Sequence, residues 1–282
     1  MRDALYRLAT PVEKVLHWSD DVLLPPAHLR IYYYRTWNPQ AFTRAGENAR
    51  AELMSRGLRP EHRVLDIGSG IGNLASSLIG YLRGGYDGIE IHPEAIAWCQ
   101  KAITPRYPGF RFHRADLASI AYNPNGSASA STYRFPFPNH RFDFILLGSV
   151  FTHMLPDGVE QYVREISRLL APGGVCVASF FLLNQETRAG VNSGRSFMSF
   201  EFEHASGVCR LHDPKKPEAA VAFDEAFVRR VHEDAGLRIQ DVRRGKWWSG
   251  EAHDQDVLTV VRAAEHSNAA VGEMPFSRRS VR

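Results

Sequence analysis

Apolar positions along this chain change their period repeatedly, and each change marks an element. From His62 a strand–helix alternation begins. "HRVLDI" is an apolar strand that runs into a glycine turn, and "GNLASSLIGYLR" follows with helical spacing. "YDGIEI" is a second strand, and "PEAIAWCQKAI" a helix with Pro93 at its first position. "GFRFHRAD" alternates apolar Phe110 and Phe112 with basic residues, as a half-buried strand does. "RFDFILLGS" is a fourth strand. "DGVEQYVREISRLL" puts Val159, Tyr162, Val163, Ile166, Leu169 and Leu170 on one helical stripe. "APGG" reads as a turn, "VCVASFFLL" as a buried strand, and "DEAFVRRVHEDAG" as a helix from Asp224 to a stop at Gly236. "LRIQDVRR" and "QDVLTVVRA" complete the series as two further strands.

Such repeats predict an α/β fold, a doubly wound and mostly parallel sheet covered on both faces by right-handed crossovers. Ligands then bind at the carboxyl ends of the strands, where the strand order reverses. Residues 1 to about 60 read as helical segments broken by "LLPPAHLR". The last of them has Asn38 as N-cap, Pro39 at the first helical position and Gly57 just past its end. Two long segments, about 118–140 and 184–222, interrupt the main domain of 61–263. Loops of that size are usually functional lids or disordered. The tail, 264–282, lacks periodicity and predicts mobility.

Composition narrows the function classes. Hydrophobic residues make up 44%, enough for a sizeable core, and the net charge of +3 comes without a lysine or arginine stripe, which argues against a nucleic-acid partner. The three cysteines are widely spaced and form no CxxC, so neither a disulfide framework nor a cysteine zinc site is expected. The first residues lack an apolar signal core, and "VCVASFFLL" is far short of the ~20 residues that span a bilayer. A cytoplasmic protein without a membrane span is the expectation.

The glycine turn carries the chemistry. Gly68, Gly70 and Gly72 allow a tight turn and close backbone approach to a ligand. A dinucleotide fingerprint, GxGxxG, needs glycine where Asn73 stands. Asp66 precedes the turn, and a carboxylate there would repel a pyrophosphate. It suits a ligand bearing an ammonium and a sulfonium, as S-adenosylmethionine does.

With these residues the chain resembles the class I S-adenosylmethionine-dependent methyltransferases. "VLDIGSGIG", "YDGIEI", "HRADL", "FDFILLGSVFTHM" and "LLAPGGV" match that family's motifs in order, over about Arg59 to Arg262. The resemblance implies a seven-stranded sheet whose last strand, "QDVLTVV", is antiparallel. It implies that Asp66, Gly68, Ser69 and Gly70 hold the methionine end of S-adenosylmethionine. Glu90 would hold the ribose, with Ile91 against the adenine. Asp116 and Leu117 would read the adenine edge, and Leu147 and Gly148 would meet the amino group. It also implies that residues 1–60 form a helical cap over the cofactor.

The acceptor side is less determined. His153, just past the fourth strand, is the candidate general base, with packing under the cofactor as the other reading. The "YYY" run, including Tyr33 and Tyr34, would cap the site or pack its helix. "YNPNG", with Tyr122, and "FPFP" would form an apolar acceptor wall or mere turns. Trp247 and Trp248 suit a stacked sugar or aromatic acceptor, or a contact between two copies in a homodimer. Glu201, Glu203, His204, Cys209, His212 and Asp213 match no standard metal spacing, and no metal is expected. The expected activity is O-methylation of a sugar, glycolipid or secondary-metabolite hydroxyl. N- or C-methylation of a small metabolite and a non-catalytic cofactor-binding scaffold are the alternatives.

Overall fold

The structure, a computed structural model, describes residues 23–120 and 122–263. The expectations for residues 1–22 and for the tail 264–282 lie outside the described residues. Two helices come first, α1 (Ala27–Tyr34) and α2 (Pro39–Ser55). The alternation then runs β1 (Val64–Ile67), α3 (Asn73–Leu78), β2 (Tyr86–Glu90), α4 (Pro93–Ala102), β3 (Phe110–Arg114), β4 (Phe142–Leu147), α5 (Pro156–Leu169) and β5 (Leu170–Phe180). After it come β6 (Leu182–Leu183), α6 (Gln185–Asn192), β7 (Phe202–Glu203), β8 (Cys209–Leu211), β9 (Val221–Asp224), α7 (Glu225–Asp234), β10 (Leu237–Arg243) and β11 (Asp256–Arg262).

The main sheet has seven strands in the order β10-β11-β5-β4-β1-β2-β3. β1 to β5 pair in parallel, and β11 is antiparallel to both of its neighbours. This is the class I methyltransferase fold that the motif order implies. All four residues of β1 are buried, as expected for a parallel strand covered on both faces. The strand order reverses between β1 and β4, so the crevice opens beyond Ile67, Glu90 and Leu147.

Local chemistry explains some of the helix starts. Asn38 Oδ1 accepts from the Gln40 amide at 2.9 Å, which caps α2 as its sequence suggests. His92 caps α4 by accepting from the Ala95 amide at 3.3 Å. Asp224 makes no capping bond to α7. It pairs with Arg188 of α6 instead, and so ties the two elements together. "APGG" lies within β5, where the register with β4 jumps from Phe142↔Leu170 to Phe144↔Val175. The turn residues are therefore a bulge in the strand rather than its boundary.

Both long segments are more ordered than their turn-rich composition predicts. Between β3 and β4, the Glu165–Arg168 pair of α5 pins the chain. Glu165 accepts from the Phe135 amide, while the Arg168 guanidinium donates to the carbonyls of Phe135 and Phe137. Phe135 is fully buried against Tyr162, so "FPFP" fills core rather than an acceptor wall. The 184–222 segment holds α6 and β7 to β9, and a second sheet of order β6-β9-β8-β7. Within it His204 pairs with Ser206 and His212 with the Ser199 carbonyl, while Cys209 is buried.

One buried charge sits mid-sheet. Asp87 of β2 is 3% exposed and accepts from Arg111, Arg141 and His113 at 3.1, 3.0 and 2.8 Å. Burial alone would raise its pKa; the bonds from His113, Arg141 and Arg111 outweigh it and hold the value at about 2. The folded value lies below the unfolded one of 3.8, so this contribution is complete above about pH 4 and vanishes as pH falls through about 2. Asp87→Asn should cost about 1–3 kcal/mol at pH 7 in denaturant unfolding. The gap to the unsubstituted protein should shrink below pH 4, and a gap independent of pH would show that the charge is not what stabilises.

Candidate active site

A cavity of about 950 Å³ opens beyond the carboxyl ends of β1, β2 and β4. That is at the upper end for small-ligand pockets, with room for a cofactor and an acceptor together. The glycine turn forms its floor. Gly68 and Gly70 have φ of +77° and +53°, a region that favours glycine. A Cβ at Gly68 would stand 2.5 Å from Val150 Cγ2, and one at Gly70 would stand 3.1 Å from the Tyr33 ring. The bare backbone thus leaves a smooth surface against which a ligand can lie.

Glu90 ends β2 and closes this floor. Its Oε2 accepts from the Gly70 amide at 2.8 Å; Oε1 accepts from the amides of Ile91 and His92 at 2.7 and 2.8 Å. Burial still raises its pKa, although those three amides oppose the shift. Ser69 Oγ is buried, lines the cavity and has no partner among the described residues. An orphaned hydroxyl on a cavity wall awaits a polar ligand.

The sequence-derived residues divide into two groups. Gly68, Ser69, Gly70, Glu90, Ile91, Leu117, Gly148, His153, Tyr33, Tyr34 and Tyr122 all line the cavity. Asp66, Asp116, Leu147 and Trp247 do not. Leu147 is fully buried in the sheet core. Asp66 lies behind the floor and accepts from the Tyr86 hydroxyl at 2.6 Å. Asp116 is half exposed and accepts from Ser127, Asn123 and Arg114, so its carboxylate clamps the following loop. Leu117 and Ala118 are what the cavity wall presents there. Trp247 is 1% exposed; it donates to Asp256 at 2.9 Å and packs on Phe181 and Phe200. It is a core residue of the second sheet, available neither to an acceptor nor to another copy.

Several wall residues escaped the sequence reading. Glu218 arrives from the 184–222 segment, Ser129 and Ser131 from the segment between β3 and β4, and Asp157 from the first turn of α5. None sits at a motif spacing. Ser149 is a further wall residue, marked by its backbone rather than by its sequence. It follows β4 with φ of +56°, an uncommon state for a residue with a side chain, and its amide donates to Ser179 Oγ at 2.8 Å.

The wall chemistry decides between ligand classes. Its charged side chains are Glu90, Asp157 and Glu218, with neither lysine nor arginine among the described lining residues. Such a wall repels a pyrophosphate and suits a sulfonium and an ammonium. Residues 65–178 match the family model described as a methyltransferase domain. The stretch from β1 to β5 is thus similar to a methyltransferase domain. S-adenosylmethionine is the cofactor of that domain, and the glycine floor, the anchored Glu90 and the acidic wall fit it. A curated relative, tRNA N(3)-cytidine methyltransferase METTL2 of Danio rerio, is 22% identical over 205 residues, 67% of this chain and 51% of that protein. The chain thus spans about half the length of that relative. Among solved structures, the PH0226 protein from Pyrococcus horikoshii OT3 aligns with a TM-score of 0.53 at 15% identity, over 78% of this chain and 90% of that one. The cyclase SpnF aligns at 0.51 and 16%, over 93% and 95%. At these identities the likeness is one of fold. No helix among the described residues is long and apolar enough to cross a membrane.

Asp66 is the most exposed of these groups to a pH test. Burial lifts its pKa to about 7, against the opposing hydrogen bond from Tyr86, and the charge of Glu90 adds to the lift. Folded Asp66 therefore keeps its proton to higher pH than unfolded Asp66, and its ionisation costs stability as pH rises through 7. Asp66→Asn removes that cost. The variant should gain stability relative to the unsubstituted protein between pH 5 and pH 8 in urea unfolding; a difference constant across that range would contradict the shift.

Proposed function

We propose that the protein is an S-adenosylmethionine-dependent methyltransferase that methylates a hydroxyl group of a small-molecule acceptor in the cytoplasm. The observation that carries the reading is His153. It lines the cavity on the same wall as Gly148 and Ser149, and its Nδ1 lies 3.0 Å from the Glu218 carbonyl oxygen. Burial lowers its pKa, so the ring is neutral near pH 7 and able to take a proton. When bound, S-adenosylmethionine supplies a methyl group already activated on a sulfonium. The protein's own task is then to align the acceptor and remove its proton.

The residues divide that work. Glu90 would receive the ribose hydroxyls on the face that its three amides leave free. Gly68, Ser69 and Gly70 would lie along the methionine chain, with Asp66 adding negative potential from behind. Gly148 would meet the amino group, and Ile91 and Leu117 would enclose the adenine. Tyr33 and Tyr34 of α1 cover the floor and exclude water. Cys99, Cys176 and Cys209 are buried and unpaired, which suits a reducing compartment.

A nucleic-acid acceptor is the second reading, prompted by the Danio rerio relative. The acidic cavity wall weighs against it, because a phosphate backbone would meet Asp157 and Glu218 there.

Incorporation of a labelled methyl group tests both readings, with small-molecule extract and total tRNA offered separately. Label should enter the small-molecule fraction; label confined to tRNA would overturn the first reading. His153→Ala should reduce incorporation by about 10²–10⁴-fold, the span of a lost general base. Its affinity for S-adenosylmethionine should stay within about threefold. An unchanged rate at every pH would remove His153 from the chemistry.

A further inference from the structure

Three segments that are distant in sequence meet at one imidazole. His153 lies in the 3-10 turn after β4, Tyr122 in the segment between β3 and β4, and Glu218 in the 3-10 turn Pro217–Ala219 before β9. All three line the cavity. Glu218 serves two neighbours at once. Its main-chain carbonyl faces His153 Nδ1 at 3.0 Å, and its carboxylate accepts from the Ile120 amide at 3.2 Å, two residues before Tyr122. The Tyr122 hydroxyl lies 3.4 Å from His153 Nε2, with the two rings edge to face at 5.5 Å.

Hydrogen-bond chemistry orders these contacts. A carbonyl oxygen only accepts, so Nδ1 carries the proton. Nε2 then offers a lone pair, and the Tyr122 hydroxyl donates to it. At 3.4 Å this bond is long and weak, so a better-placed hydroxyl can replace it.

We infer that Glu218 is a positioning residue that joins the two inserted segments and fixes His153 as its Nδ1–H tautomer, with Tyr122 satisfying Nε2 until an acceptor hydroxyl takes its place. The inference rests on the reading of His153 as the base. In the step it supports, the acceptor's O–H bond breaks, its electron pair stays on oxygen and the proton binds Nε2. The resulting imidazolium keeps its Nδ1–H bond to the Glu218 carbonyl. The Glu218 carboxylate acts on the ring through its charge and Tyr122 through its hydroxyl; burial opposes the charged ring, so the proton is readily passed on to water. The role of Glu218 also explains why two segments without motif spacing both reach the cavity wall: neither alone orients the base.

Long-range proton–nitrogen NMR of the labelled full chain reads the tautomer without donor or acceptor present, with His153→Ala identifying the signals. The unsubstituted protein should show a protonated Nδ1 and a bare Nε2. Glu218→Ala should give a mixture of tautomers. Glu218→Gln keeps an oxygen that can accept from Ile120, and should retain the Nδ1–H form. A proton on Nε2 in the unsubstituted protein overturns the inference, whether or not the alanine variant folds. So does a folded Glu218→Ala protein with an unchanged tautomer, or a Glu218→Gln protein that behaves like the alanine variant. Calorimetry with S-adenosylmethionine separates the two levels. Binding with the wrong tautomer removes only the role of Glu218, while the right tautomer without binding removes the methyltransferase reading.

Discussion

The site depends on one carboxylate. Glu90 ends β2 and binds the amides of Gly70, Ile91 and His92, so a single side chain ties the turn after β1 to the start of α4. Bonds between a charged acceptor and main-chain amides are worth more than neutral ones, and three of them offset a large share of the cost of burying the charge. The offset is incomplete, since burial still raises the pKa of Glu90. A ligand that brings hydroxyl donors and a positive charge would complete it. The same group that shapes the floor is therefore the one that would gain most from a bound cofactor.

The acids around the floor form a graded set. Asp87, deeper in β2, has enough cationic partners to remain ionised at any ordinary pH. Asp66 has one phenol and no cation, and its pKa lies near neutrality. Stability and binding pull apart at Asp66. An ionised Asp66 is unfavourable in the folded chain alone, yet its negative potential lies behind the surface where a sulfonium would sit. Buried acids of this kind are often retained at functional sites at some cost in stability.

The parts of the fold that were legible in the sequence rest on short-range rules. The period of two in β3, the helical stripe of α5, Asn38 with Pro39, and the glycine turn each express local backbone or burial chemistry. The places of Glu90 and His153 on the cavity wall were legible because each sits at a fixed distance from a strand end. Other residues depend on contacts between distant segments. Asp224 looks like a helix cap but is drawn to Arg188. Asp116 holds its own loop through Ser127 and Asn123. The indole of Trp247 is captured by Asp256, and the paired tryptophans that suggested a stacking surface belong to a core. Glu218 had no local signal, because its importance comes from where two inserted segments fold. The second sheet was hidden for the same reason: its strands are two to four residues long, too short for a period to show.

The central claim is that Glu90 and the glycine turn hold S-adenosylmethionine. Isothermal calorimetry of the full chain and of Glu90→Gln, with circular dichroism to show that both are folded, tests it most directly. The account predicts binding by the unsubstituted protein and an affinity at least about tenfold weaker in the variant, the loss expected for one charged hydrogen-bonding group. Equal affinities in two folded proteins, or no binding by the unsubstituted protein at millimolar ligand, would contradict it.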